Sequence, residues 1–148
     1  MKELWTWEPN KSLGPVTIGS AIEIYIDQHG FAYDEDSDPN DAWISYADKS
    51  GDVRIDTEDS LVVSITAYRD FHYKHLNLIG ANIIELGALL GQVADEVGEA
   101  VEFEDGDVKN CYDFTELGLQ IWASRGIITS ATCLTYQDRK KSNHGCEG

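Results

Sequence analysis

Apolar and polar positions follow two different spacings along this chain, and each spacing predicts one kind of element. Two segments that run from glycine to glycine, 19–30 and 80–91, carry apolar residues at helical spacing. The glycine at the far end of each is typical of a helix C-terminus, and Ser20 and Asn82 are candidate N-caps. We therefore predict two helices of about three turns each.

β-Branched residues flank two short polar turns further along the chain. Segment 54–66 aligns without a gap with segment 120–132, at an offset of 66 residues, and the hydroxyl side chains fall at matching positions. A strand, a polar turn and a second strand predict a β-hairpin in each segment. We expect further strands at 42–46 and 101–103.

The order helix, strand, hairpin therefore occurs twice, at about residues 12–68 and 76–136. A unit of about 60 residues has only a marginal core of its own, so we expect the two units to pack together. The predicted fold class is α+β, with two pseudo-repeats of helix, strand and hairpin packed as a single domain with an antiparallel sheet. This domain spans 1–136, and 137–148 are expected to form a flexible tail.

Charge narrows the range of partners. The 148 residues include 27 acidic and 11 basic side chains, which gives a net charge of −16. Such a field repels phosphate backbones and anionic membranes, so we expect a basic protein partner, no direct nucleic-acid binding and no membrane binding. Three cysteines without a CxxC motif, and an N-terminus without an apolar run, predict a cytoplasmic protein. Cys111 and Cys133 are interpreted as small apolar side chains.

Candidate chemistry is sparse, and we predict no catalytic residue, no metal site and no cofactor. His72 and His75 are three residues apart but lie among cations without an evident third ligand, so an exposed linker is the preferred interpretation. The acidic run 34–41 begins like an EF-hand loop. However, Pro39 replaces the glycine of the sixth position and Ser45 replaces the glutamate of the twelfth.

Acidic residues cluster after each predicted helix, and aromatic residues lie among the first cluster. Aromatic side chains can anchor a protein partner while carboxylates steer its approach. A purely solvating role for the acids, with Trp43 and Tyr46 in the core, is the alternative. The predicted partner-binding residues are Tyr33, Asp34, Glu35, Asp36, Asp38, Asp41, Trp43, Glu102, Glu104, Asp105 and Asp107.

Four short phrases of glycine and aliphatic residues carry a resemblance to a known family: LGPVTIG at 13–19, NLIG at 77–80, DEVG at 95–98 and LGLQIW at 117–122. Together they resemble small immunity proteins of bacterial polymorphic-toxin or contact-dependent growth inhibition systems. The resemblance implies a cytoplasmic protein that binds a cognate toxin domain, often a nuclease, and blocks its active site. It implies neither catalysis nor a cofactor, and we expect a monomer or a heterodimer with the toxin.

Two other classes of function stay open at this point. One is a small carboxylate-rich enzyme or a ligand- or metal-binding domain. The other is a structural partner domain inside a larger bacterial assembly.

Overall fold

The chain forms mainly antiparallel β-structure. The computed structural model describes residues 5–34, 43–103 and 105–135. The model is 47% strand and 15% helix. The predicted α+β class, built from helix, strand and hairpin pseudo-repeats, is therefore wrong: the protein is mostly β, with two short helices and one large antiparallel sheet.

Most of the strands are short, and they outnumber the helices. In chain order the strands are β1 (Trp7–Glu8), β2 (Ser12–Leu13), β3 (Val16–Thr17), β4 (Ala32–Tyr33), β5 (Ile44–Ala47), β6 (Val53–Glu58), β7 (Leu61–Ala67), β8 (His72–Tyr73), β9 (Leu76–Asn77), β10 (Glu96–Val97), β11 (Val101–Glu102), β12 (Val108–Phe114), β13 (Leu119–Ser124) and β14 (Ile127–Leu134). The helices are α1 (Glu23–His29), α2 (Ile83–Leu90) and a 3-10 helix, Thr115–Leu117.

Nine strands make the large sheet, in the order β10-β12-β13-β14-β7-β6-β5-β4, with β11 also paired to β12. The two predicted hairpins are confirmed as β6–β7 and β13–β14. They meet at the centre of the sheet, where β7 pairs with β14 and Thr66 lies opposite Thr132. Two small sheets, β1-β2-β3 and β8-β9, complete the structure.

The helices are shorter than predicted, which is one reason why the fold class differs. They have seven and eight residues, and each ends at a glycine in the left-handed conformation, Gly30 and Gly91 with φ of 72°. Asn82 is the predicted N-cap of α2 and accepts a hydrogen bond from the Ile84 N–H at 2.8 Å. Ser20 does not cap α1, because its hydroxyl is hydrogen-bonded to the Tyr25 hydroxyl at 2.7 Å instead.

The segment between the first hairpin and α2 is not the exposed linker that the sequence predicts. β8 and β9 pair through a turn at Lys74 and His75, both with positive φ, and the His72 side chain is only 19% exposed. Phe71, just before β8, is fully buried. This segment is therefore partly buried and contains two short strands, instead of forming an exposed loop.

The core lies on one face of the large sheet. Alternate side chains of a strand point to opposite faces, so every second residue of the central strands is buried against the helices and the small sheets. Fully buried residues of the sheet include Ile55, Ile65, Leu119 and Ile121. The other core residues come from the covering elements: Trp7, Leu13, Val16, Ile22, Tyr25, Phe71, Leu78 and Leu86. The opposite face of the sheet carries mostly polar side chains, together with the Trp122 ring and the buried Cys111.

Candidate functional site

A cleft lies on the polar face of the large sheet, where the two hairpins meet. Its volume is about 300 Å³. Arg54 and Tyr68 line one side, and Phe103, Lys109 and Trp122 line the other. We call it the sheet cleft. It arises because the residues that alternate with the core positions of β6, β7, β13 and β14 are polar or aromatic.

The first wall of the sheet cleft is a network of hydrogen bonds around one carboxylate. Asp56 Oδ1 accepts from Arg54 Nε at 3.2 Å and from the Ser45 hydroxyl at 2.6 Å. Its Oδ2 accepts from the Ser64 hydroxyl at 2.9 Å, and Arg54 Nη2 donates to Ser45 Oγ at 2.9 Å. Asp56 therefore holds strands β5, β6 and β7 together and neutralises Arg54.

Tyr68 stands beside this network at the end of β7. Burial raises the pKa of its hydroxyl, while the neighbouring Arg54 acts in the opposite direction. The phenol is consequently protonated at neutral pH and can donate a hydrogen bond into the sheet cleft. Arg54 also has a raised pKa: burial acts to lower it, but the charge and hydrogen bond of Asp56, together with Tyr68 and Asp34, outweigh burial.

The second wall is aromatic and carries one cation. The Phe103 and Trp122 rings meet edge to face, with centroids 5.7 Å apart. The Lys109 ammonium lies 4.5 Å from the centroid of the Phe103 ring. No carboxylate among the described residues forms an ion pair with Lys109.

The floor of the sheet cleft consists of hydroxyl and amide side chains. The Thr66 and Thr132 hydroxyls are hydrogen-bonded to each other at 2.8 Å, across the pairing of β7 with β14. Ser130 and Gln120 lie beside them, and Gln120 donates to Asp113 at 3.3 Å. One hydroxyl hydrogen of the threonine pair is left over for a ligand, because only one of the two can donate within the pair.

Two of the predicted partner-binding residues lie at this face, on opposite sides of the sheet cleft. Asp34 follows β4 and lies opposite Ser45, and it is close enough to raise the pKa of both Arg54 and Tyr68. Asp107 precedes β12, and its Oδ1 accepts from the Ser124 hydroxyl at 2.6 Å. Strands β4 and β12, next to which these residues lie, are six strand spacings of about 4.8 Å apart, roughly 29 Å along the sheet.

The structure separates other predicted residues from this face. Tyr33 is half exposed and packs edge to face on Tyr46, on the side of the sheet that carries the core. Glu102 is exposed, and its pairing with Val108 places it on that same side. Trp43 is only 6% exposed, so its ring is not on the surface where a partner anchor was predicted. Asp105 is exposed in the turn before β12 and accepts a hydrogen bond from the Asp107 N–H.

The remaining predicted partner-binding residues lie outside the described part of the chain, as does the predicted tail. They are Glu35, Asp36, Asp38, Asp41 and Glu104.

The sequence also contained a signal for the sheet cleft that our prediction did not use. The alignment of the hairpins matched Thr66 with Thr132, and the structure shows these residues in contact at the centre of the cleft floor. Arg54 and Asp56 stand at alternate positions of a strand whose other positions are apolar. A charged pair in that pattern indicates a polar sheet face with a built network, rather than a solvated one.

Cys111 and Cys133 are both buried. Cys133 has the environment predicted for a small apolar side chain, and burial raises the pKa of its thiol to about 12. Cys111 is disulfide-bonded, so the interpretation as a plain apolar residue is wrong there.

The described residues contain no cluster of three or more histidine, cysteine or acidic side chains arranged to hold a metal ion. Within the same residues, no helix has the length and apolar character needed to cross a membrane.

Comparisons with known proteins add no relative. Neither protein-family models, nor curated proteins, nor solved structures give a match to this chain.

Proposed function

We propose that the chain is an immunity protein that binds a basic bacterial toxin domain and covers its active site. The toxin domain proposed is a nuclease. The observation that carries the proposal is that Asp34 and Asp107, far apart along the sheet, both lie at the face that holds the sheet cleft. A partner that docks on this face meets carboxylates on both sides. The resemblance to small immunity proteins supplies the class of partner.

The net charge of −16 supports a basic partner on physical grounds. Opposite charge accelerates the diffusional encounter, to as much as about 10⁸–10⁹ M⁻¹s⁻¹ at low salt. Carboxylates at the rim of an interface act chiefly on the association rate and on its dependence on salt. Inhibition follows from steric exclusion of the substrate, so it requires no catalytic residue in this chain.

The experiment uses the full chain and the toxin domain encoded by the reading frame next to its gene. Co-expression should protect cells from the toxin, and the purified complex should form more slowly as salt rises. A chain that gives no protection against that toxin would overturn the function.

A matched pair of variants tests the face. Asp34→Asn with Asp107→Asn removes two charges from the cleft face and keeps an acceptor oxygen at each position. Glu23→Gln with Asp27→Asn removes two charges from the exposed side of α1, so this variant has the same net charge as the first one. We expect association to slow by about five-fold or more for the first pair and by less than about two-fold for the second. Equal slowing would mean that only net charge matters, and it would overturn the assignment of this face.

A further inference from the structure

The sheet cleft differs in charge from the rest of the protein. The whole chain carries −16, yet the side chains that line the cleft include two cations, Arg54 and Lys109, and one carboxylate, Asp56. Asp56 is fully engaged with Arg54 and two serine hydroxyls. Lys109 is therefore the lining cation without an ion-pair partner among the described residues.

Hydrogen-bond donors also outnumber free acceptors there. Lys109 has no carboxylate partner among the described residues, and its ammonium lies over the face of the Phe103 ring. The Tyr68 hydroxyl and one hydroxyl of the Thr66 and Thr132 pair add further donors. Such a cleft favours a ligand rich in acceptor oxygens.

The shape of the second wall restricts the body of the ligand. The Phe103 and Trp122 rings are nearly perpendicular, at an interplanar angle of 83°, and form a corner beside Lys109 in which a planar ring can pack against either ring. A volume of about 300 Å³ is at the lower end of the range found for ligand pockets. One uncompensated cation matches a single negative charge, whereas a phosphate dianion would add a second charge inside a strongly acidic protein.

We propose that the sheet cleft binds a small molecule with one carboxylate on a planar aromatic body. The carboxylate lies at Lys109 and the floor hydroxyls, and the ring lies against Trp122 and Phe103. The site lies on the face proposed for the toxin, but the binding of a small ligand is measured without the toxin, so failure of one proposal does not decide the other.

The test compares two probes on the wild-type full chain by isothermal titration calorimetry: 2-naphthoate and its uncharged analogue, 2-naphthamide. They have the same rings and differ in charge. We expect 2-naphthoate to bind about ten-fold tighter or better, since a charge-assisted hydrogen bond contributes more than a neutral one. Equal affinities, or no detectable binding of naphthoate at about 5 mM, overturn the proposal.

Two lysine variants locate the site. Lys109→Met should reduce naphthoate affinity to that of the amide and leave amide affinity unchanged. Lys74→Met is the matched control, because Lys74 also lies over an aromatic ring, 5.3 Å from the centroid of Tyr73, but outside the sheet cleft. A loss of naphthoate binding in both variants, or in neither, would contradict the site. Circular dichroism of each variant verifies that it is folded.

Discussion

The hairpins β6–β7 and β13–β14 have matching backbone conformations, but their first strands carry different side chains on the cleft face. Both turn through two residues of positive φ, Asp59 and Ser60 in the first (54° and 66°) and Arg125 and Gly126 in the second (53° and 82°). Each also has a register shift at the same place, after Asp56 in one and after Trp122 in the other. The chain before each helix is attached to its hairpin by matching backbone hydrogen bonds, for example Gly19 N–H to Val62 O and Gly80 N–H to Ile128 O, both at 2.8 Å.

On the cleft face, the first strands of the two hairpins carry different side chains, whereas the second strands match at Thr66 and Thr132. Arg54 and Asp56 of the first hairpin correspond, at the offset of 66 residues, to Gln120 and Trp122 of the second. On the core side, Ile55 corresponds to Ile121, and both are fully buried. The turns and the core positions therefore determine the backbone conformation. The side chains on the cleft face can vary, and they form one charged wall and one aromatic wall.

The two hairpins should differ most in how strongly a substitution just before the first strand, β6 or β13, destabilises the protein. Gly118 and Asp52 occupy corresponding positions, and their carbonyls accept from Leu134 N–H and Tyr68 N–H at 3.0 and 2.9 Å. A Cβ at Gly118 would overlap the Leu134 carbonyl oxygen and the Asn10 side chain, and φ there is +65°. We expect Gly118→Ala to lower the free energy of unfolding by about 4 kcal/mol and Asp52→Ala by less than about 1 kcal/mol. Urea denaturation measures both, and similar losses would contradict the close approach at Gly118.

The core side of the two hairpins should respond equally. Ile55→Ala and Ile121→Ala each remove a fully buried side chain from the same position of the shared backbone. Each should cost about 3 kcal/mol, within the range of about 2–5 kcal/mol for such truncations. Thermal and urea unfolding of the two variants provides the comparison. A difference larger than about 1.5 kcal/mol would mean that the two halves of the core are not packed alike.

The hydrogen-bond network around Asp56, in the first wall of the sheet cleft, should contribute measurably to the free energy of unfolding. Asp56 is 14% exposed at its side chain and accepts from Arg54, Ser45 and Ser64, so Asp56→Ala leaves several donors without an acceptor. We expect a loss of about 2 kcal/mol in the free energy of unfolding. Glu58→Ala in the same strand is the control and should change it by less than about 0.5 kcal/mol. If the control loses as much as the Asp56 variant, the network does not stabilise the sheet.

Local signals in the sequence were sufficient for part of this fold. The two hairpins, the C-terminal glycines of both helices and the Asn82 cap each depend on residues within a few positions of one another. The fold class was wrong because two-residue strands leave no periodic pattern. The long strand β12 was also missed, since Lys109, Asn110 and Asp113 make it look like a polar loop.

The sheet cleft could not be predicted in the same way, because its parts are distant in sequence. Thr66 meets Thr132 across 66 residues, and Phe103 reaches Trp122 from the turn before another strand. Which acids lie at the same face likewise depends on strand order, which places Asp34 and Asp107 near opposite ends of the sheet. Composition predicted an acidic protein, but it did not identify a cleft whose lining includes the two cations Arg54 and Lys109.

The smallest effect is expected at Asp95, an exposed carboxylate that can be compared with the largely buried Asp56. Asp95 accepts from the Thr115 N–H at 2.9 Å and from the Thr115 hydroxyl, much as Asp56 accepts from its neighbours, but it is exposed. Burial acts to raise the pKa of Asp95, and the hydrogen bonds from Thr115 outweigh it, so the pKa is lowered from 3.8. A carboxyl with a lowered pKa in the folded state stabilises it above the unfolded pKa, and this contribution is lost as the pH falls.

We therefore expect Asp95→Asn to lower the free energy of unfolding at pH 7 by about 0.5 kcal/mol, a small value because the carboxylate is solvated. The difference between wild type and variant should shrink as the pH falls below 3.8 and the wild-type carboxyl becomes protonated. Urea titrations at neutral and at acidic pH measure this. A gap that stays constant with pH would mean that the charge of Asp95 contributes nothing, and that only its shape as an acceptor holds Thr115.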